Sequence, residues 1–405
     1  MKAKKLPFLN DPIYGFIHIA SPLIFELLEH QYVQRLRRIA QMGLSSLVFP
    51  GARHSRFEHA LGAMHLMNLV VEHLRKKNIE ISSKEHEAMA IAILLHDIGH
   101  GPFSHALENV ICLNIHHEKL SLELMQQLNR DLDGQLELAI SIYNNTYKRG
   151  FMHQLVSSQL DLDRLDYLKR DSFYSGATEG NINTQRIVAM FNVVDDKLVI
   201  EEKGLFSVEK FIMARRLMYW QVYLHKTGLA AELLLAKLML YARKKLQHEK
   251  LPGLSEAMNY FLTNDTIDIT DKTVLKLFTQ LDDTDVLVCL KTWQNHPDPI
   301  LASYAKRLLH RRLMKVKFSN KPFAEEKILK KRQKLIAAGN SEDFANSFVF
   351  TGKVSARPYS LDEDPIVLLK KSGKTVQFDA YSSLFKGDSF SSLETKYYLC
   401  YAKSL

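Results

Sequence analysis

The chain has 405 residues, enough for a large core in two or three domains, and its 46% hydrophobic and 24% charged residues are an ordinary globular balance that argues against wholesale disorder. No apolar run nears the ~18 residues of a membrane span, and the basic start "MKAKKLPFLNDP" lacks the apolar stretch of a secretory signal. The net charge of +9 suits an anionic partner, but much of it lies in runs such as "HRRLMKVK" and "KILKKRQK" that read as solvated helix faces.

Taken in chain order, "LIFELLEHQYVQRLRRIAQMG" repeats its apolar residues at helical spacing and stops at Gly43. A helix over about 56–77 carries Leu61, Met64, Leu69 and Val71. Ser82 with Glu85 forms a capping-box pattern ahead of "HEAMAIAILLHD", which predicts a buried helix ending near Asp97. Further helices are expected at about 116–128, 134–147, 153–170, 207–247 and 298–312. After about residue 313 the character changes. "SFVFTGKV", "PIVLLKK", "TVQFDAY" and "KYYLCYA" are short, β-branched and aromatic-rich, with Gly, Pro and Ser between them, and predict strands. Cys112, Cys289 and Cys400 lie far apart and form no CxxC, so they are expected to be buried thiols in a reducing, cytoplasmic setting. No zinc-finger spacing or RNP aromatic pattern supports a nucleic-acid partner.

Four places put polar residues against apolar helices, where an unpartnered polar group is costly. They are His59 in "HSRFEHALG", His96 with Asp97 in "LLHDIGHG", and Asp163 in "SSQLDLDRLDYLKRD". Neighbouring helix residues point about 100° apart, so His96 and Asp97 can share one ion only at a helix end, and Gly99 supplies such an end. Histidine nitrogen with carboxylate oxygen suits zinc, manganese, iron or nickel better than calcium.

The order H…HD…D resembles the HD-domain metal-dependent phosphohydrolases. "FPGARHSRFEHALG", "HDIGHGPFSH", "HHEKLS" and "DLDRLDYLKRDSFYSG" narrow the resemblance to the deoxynucleoside triphosphate triphosphohydrolase branch over roughly residues 10 to 245. No GYP tripeptide stands beside the HD region, which argues against the cyclic-dinucleotide phosphodiesterase branch.

The resemblance implies that His59, His96, Asp97 and Asp163 hold one divalent transition metal (Mn, Fe, Zn or Ni), with Mg as a further ion. It implies that His105, Glu108 and His117 form the catalytic set, Glu108 replacing an aspartate. Gln41, Arg56, His100, Arg164, Tyr167, Asp171, Arg215 and Tyr223 fall on substrate positions. Glu29, Gln34 and Arg37, with "HKTG" at His225 to Gly228, resemble a site at which a nucleotide activates the oligomer. The implied fold is mainly α: an HD-domain helical core with a smaller C-terminal α+β region. The expected division is a catalytic core at 1–245, a helical extension at 246–312 and the α+β region at 313–405.

Three functional readings stand at this point. The first is hydrolysis of a dNTP to deoxynucleoside and tripolyphosphate by attack at the α-phosphate, in a cytoplasmic homodimer or homotetramer with no membrane partner. The second is the same metal chemistry on another nucleotide or phosphate ester. The third is a nucleotide- or nucleic-acid-binding regulator without turnover, against which the acid–base set of His105, Glu108 and His117 counts.

Overall fold

The computed structural model describes residues 7–356, 359, 364–385 and 393–402. The chain opens with a hairpin of β1 (Phe8–Asp11) and β2 (Gly15–His18). The helix expected to run to Gly43 is broken into α1 (Pro22–Glu29), α2 (Gln31–Arg35) and a 3₁₀ turn at Leu36–Arg38. His30 makes the break: its backbone is extended and its ring nitrogen accepts from the Tyr32 amide, so it caps α2.

α3 (Arg56–Lys76) and α4 (Ser83–Leu95) follow, each opened by a reciprocal capping box, Ser55 with Glu58 and Ser82 with Glu85. Each box is worth on the order of 1 kcal/mol. α4 is buried on every side from Ala88 to Leu95, so it forms the central rod of the helical core, with α3 packed along it.

Next come α5 (Ser104–Ile111), α6 (His117–Asp131), α7 (Glu137–Tyr143), α8 (Gly150–Val156) and α9 (Leu162–Ser175). The single helix expected at 153–170 is therefore two, because Asp161 leaves the helix and caps α9 through the Arg164 amide at 2.8 Å. α10 (Thr184–Met190) leads into a hairpin that the helical reading missed, β3 (Phe191–Val194) and β4 (Lys197–Glu201), turned at Asp195 and Asp196 with both φ positive. The helix expected at 207–247 is interrupted as well. α11 (Leu205–Met218) passes into a π turn at Tyr219–Tyr223, and α12 (Lys226–Leu246) restarts with His225 as its cap. Such turns are rare and often mark functional sites.

The segment beyond holds α13 (Glu256–Thr263), α14 (Lys272–Phe278), α15 (Asp283–Trp293) and α16 (Pro299–Leu309). Then follow β5 (Lys315–Ser319), α17 (Glu325–Ala337), α18 (Glu342–Ser347), β6 (Val349–Ala356), β7 (Val367–Leu369), β8 (Thr375–Gln377), α19 (Phe378–Tyr381) and β9 (Glu394–Tyr401). β9 sits between β5 and β6 in an antiparallel sheet. β7 instead pairs in parallel with β4, so a four-stranded sheet β3-β4-β7-β8 joins the C-terminal residues to the hairpin of the helical core. Cys112, Cys289 and Cys400 are all free and buried. Among the described residues no helix is long and apolar enough to cross a membrane.

Candidate metal centre and substrate cavity

α3, α4 and α9 meet at one point. His59 sits in the second turn of α3, His96 and Asp97 at the C-terminal end of α4, and Asp163 in the first turn of α9. The His59 Nε2 lies 3.1 Å from Asp163 Oδ1 and 3.8 Å from Asp97 Oδ2. The His96 Nε2 lies 3.3 Å from Asp97 Oδ1 and 3.5 Å from Asp163 Oδ1. Both Nε2 atoms are buried and make no hydrogen bond. His59, His96 and Asp163 bring their ligand atoms within 4.8 Å of one another.

The opposite edges of both rings are pinned. His96 Nδ1–H donates to the Ile93 carbonyl at 2.6 Å, and His59 Nδ1–H donates to Asp166 Oδ2 at 2.8 Å. Asp166 in turn accepts from Arg170 Nε and Nη2 at 2.9 and 3.0 Å, and Arg170 Nη1 reaches Asp11 at 2.7 Å. Gly62 of α3 makes room for this pair: a Cβ there would lie 2.0 Å from Asp166 Oδ1.

A row of histidines leads away from this point. His100 Nε2 is 3.2 Å from Asp97 Oδ1, and its ring stacks on His117 at 3.8 Å between centroids. His105 stands edge-on to His100 at 5.7 Å. His117 donates from Nδ1 to Glu108 Oε1 at 2.6 Å, and the same oxygen takes its backbone N–H at 2.9 Å. That side-chain hydrogen bond holds the Glu108 acid down to about 2. Glu108 therefore reaches His117 despite its longer arm. Gly99 permits the close approach of this loop to α6, since a Cβ would meet the His117 carbonyl at 2.2 Å. The left-handed residue of the loop is Phe103, at φ 44°, and not a glycine.

These side chains open onto a cavity of about 480 Å³. Its walls carry Gln41, Arg56, Asp97, His100, His105, His117, Asp163, Arg164, Tyr167, Asp171, Arg215 and Tyr223, together with Glu232. Every predicted substrate residue thus faces one space. Arg56 Nη1 binds Asp97 at 2.5 Å, and Arg164 binds Asp161. Asp171 accepts from His54 Nε2 at 2.7 Å and from the Tyr223 hydroxyl at 2.8 Å.

Comparison with known proteins agrees with this geometry. The HD domain family matches residues 56–171, and the HD associated region matches residues 182–252. The protein YwfO of Bacillus subtilis is 35% identical over 311 residues, 75% of this chain and 70% of that one. A phosphohydrolase from Bacteroides thetaiotaomicron superposes with a TM-score of 0.94 at 44% identity, over 98% of this chain and 100% of that one. The chain is an HD-domain phosphohydrolase. A deoxynucleoside triphosphate triphosphohydrolase SAMHD1 homolog of Dictyostelium discoideum is 31% identical over 252 residues, and the phosphohydrolase spans 49% of its length.

The residues present fit a divalent metal. Two buried Nε2 lone pairs without hydrogen bonds face two carboxylates, the donor set that borderline cations take. The electrostatics point the same way. Burial alone would lower the His59 imidazole, yet the Asp163 and Asp166 carboxylates outweigh it and raise it to about 10. The site thus favours positive charge where desolvation opposes it.

Several functional neighbours of this phosphohydrolase were absent from the sequence reading. Asp166, Arg170 and Asp11 orient His59, and His54 orients Asp171. Asp283, at the start of α15, accepts from the Ala40 amide at 2.9 Å and the Phe103 amide at 2.8 Å, fastening two cavity walls together. Burial raises its acid to about 6. Asp166 was findable as the third aspartate of "DLDRLDYLKRD", one turn from Asp163 on the same helix. Asp283 carries no local signal, because its partners lie 243 and 180 residues away. Of the residues proposed for an activator, Gln34 and Arg37 are joined at 2.9 Å, and Arg37 stacks over Phe57 at 3.7 Å. Glu29 is exposed at the end of α1.

Proposed function

We propose that this enzyme hydrolyses deoxynucleoside triphosphates to deoxynucleoside and tripolyphosphate. The observation that carries the reading is the cavity itself: three arginines and three histidines line one space beside a metal-ligand cluster, with tyrosines and Asp171 completing its wall. His59, His96, Asp97 and Asp163 would hold the metal, which when bound would polarise a phosphoryl oxygen and lower the pKa of water. Arg56, Arg164 and Arg215 offer planar forks suited to phosphate oxygens. Tyr167 and Tyr223 meet edge to face at 6.3 Å, an aromatic corner against which a sugar can pack, and Asp171 is an acceptor for its hydroxyl.

In the overall step water adds to the α-phosphorus, the P–O5′ bond breaks, and O5′ needs a proton. His117 is better placed than His105 to deliver it. Its Nδ1–H is committed to Glu108 at 2.6 Å, which fixes the ring and leaves Nε2 as the nitrogen that can exchange a proton with O5′. The enclosing protein, and next Arg56, lower His105 below its ordinary value, so it is better placed as a neutral hydrogen-bonding group along the phosphates. Gln41 and His100 complete the wall, and Glu29, Gln34 and Arg37 form the separate activator candidate.

The test is chromatographic separation of products from each dNTP and rNTP, singly and mixed, with Mn²⁺ or Mg²⁺ and His96→Ala as control. Deoxynucleoside with intact tripolyphosphate supports both the substrate class and the bond broken. Turnover only in mixtures supports the activator site. No turnover of any triphosphate, with release of phosphate from simpler esters, would overturn the triphosphate reading and leave the phosphohydrolase chemistry.

A further inference from the structure

Most charged groups on the cavity wall already have partners. Arg56 binds Asp97, Arg164 binds Asp161, Asp163 faces the two ligand histidines, and Asp171 holds His54 and Tyr223. Two groups have none among the described residues, Arg215 and Glu232, and they are opposite in sign. No ion pair joins them, although both line the same space.

Their positions differ. Arg215 comes from α11, whereas Glu232 comes from the second turn of α12, about 9 Å along the helix from Lys226. α12 packs against α5 and against the 3₁₀ turn at Gly43–Leu47, and Glu232 lines the cavity together with Leu44, Ser45 and Ala106 of those elements. A ligand that fills the cavity must therefore satisfy both a cation and a carboxylate that do not satisfy each other. Phosphate answers only the first. A carboxylate beside phosphate would repel it, so Glu232 must face a part of the ligand that donates hydrogen bonds.

We propose that Glu232 is the specificity-determining residue for the base, and that its carboxylate selects guanine. This rests on the nucleotide reading above. A carboxylate is an acceptor at both oxygens. Guanine alone presents two neighbouring donors on its pairing edge, N1–H and N2–H, which can reach both oxygens at once. Adenine and cytosine put a ring acceptor beside their amino donor, and thymine has one N–H between two carbonyls, so each would set a lone pair against a carboxylate oxygen. Such paired contacts discriminate strongly because the mismatched polar group is left buried and unpartnered. Burial raises the free acid to about 7, and a two-donor ligand favours its ionised form.

The test is internal competition. An equimolar mixture of the four dNTPs is hydrolysed by the metal-loaded wild-type enzyme, E232Q and E232D, and the relative kcat/KM values are read from the four depletion curves. The expected result is preferential loss of the guanine nucleotide in the wild type. In E232Q that preference falls about 10-fold or more, because an amide turns a donor toward guanine. Ratios among the other three change less, and E232D, which keeps the charge, retains part of the preference. Equal ratios in wild type and E232Q, or a uniform loss for all four, would overturn the role of Glu232 while leaving the nucleotide reading intact. A wild type that hydrolyses a simple phosphate ester but none of the four nucleotides would overturn the nucleotide reading, and this proposal with it. If E232Q does not fold, E232D carries the comparison, and a guanine ratio identical to wild type despite the shorter arm counts against base contact.

Discussion

Replacing Asp166 by Asn should weaken metal binding without touching a metal ligand. Asp166 accepts three hydrogen bonds, one from His59 Nδ1 at 2.8 Å and two from Arg170 at 2.9 and 3.0 Å, and it is fully buried. An amide can accept on one oxygen only, so its NH₂ must face either the imidazole N–H or the guanidinium. One buried donor is then unpartnered, at about 1–3 kcal/mol. Breaking a buried ion pair costs about 3–5 kcal/mol, but Asp11 still holds Arg170 at 2.7 Å, which places the loss near the lower end, about 3 kcal/mol. The His59 Nε2 also loses the negative charge behind its ring, and loss of such an outer partner typically weakens metal affinity about 10–100-fold. The assay is Mn²⁺ titration against a metallochromic chelator, with denaturant unfolding run with and without Mn²⁺. Because the metal binds the folded chain, weaker affinity also appears as a smaller midpoint gain on adding it. A destabilised D166N with wild-type Mn²⁺ affinity would refute the argument that Asp166 tunes His59 and leave it a purely structural ion.

Gly62→Ala approaches the same network from the other side: its methyl would lie 2.0 Å from Asp166 Oδ1 and 2.2 Å from Arg170 Nη2, so unfolding measurements should show a loss of about 2–4 kcal/mol. His96→Ala and Asp97→Ala should lose both metal and turnover, whereas His117→Ala should keep the metal and slow turnover about 10²–10⁴-fold, checked by metal analysis beside kcat; equal metal loss in all three would sink that division. For Glu232 the folded acid is raised from 4.5 to about 7, so the folded chain binds the proton more tightly and stability is highest below pH 4.5 and falls as pH rises through 7. That shift corresponds to about 3 kcal/mol, reduced to about 2 by partial exposure, and E232Q should gain it at pH 8 but not at pH 4.5 in denaturant unfolding. Asp283→Asn should leave one of the Ala40 and Phe103 amides unpartnered and loosen the cavity walls, raising KM more than it lowers kcat in steady-state assays; an unchanged KM would show that the walls hold without it.

Much of the site was legible because its residues sit on strong local signals. Ser82 and Glu85 cap the helix that delivers His96 and Asp97, and the apolar run behind them leaves the two polar residues nowhere to go but a helix end. The strands at 349–356, 367–369 and 394–401 were likewise written in alternating β-branched and aromatic residues. The breaks were harder to read. Nothing in "MARRLMYWQVYLHK" interrupts helical periodicity, yet the chain makes a π turn there and brings Tyr219 and Tyr223 to the cavity. At 191–201 a short hairpin interrupts the helices, and its strand β4 gains its second partner only when β7, some 170 residues later, lies beside it.

The sequence by itself determined the helical class and, through its motifs, the HD-domain family, because caps, apolar periodicity and motif residues act within a few positions of one another. Tertiary structure alone decided how those residues are held. Asp166 behind His59, Arg170 between two aspartates, Asp283 bridging two walls and Glu232 without a partner among the described residues are all relations between distant segments. The cost of burying a charge depends on what the fold places beside it, and that neighbour is set only when the helices pack.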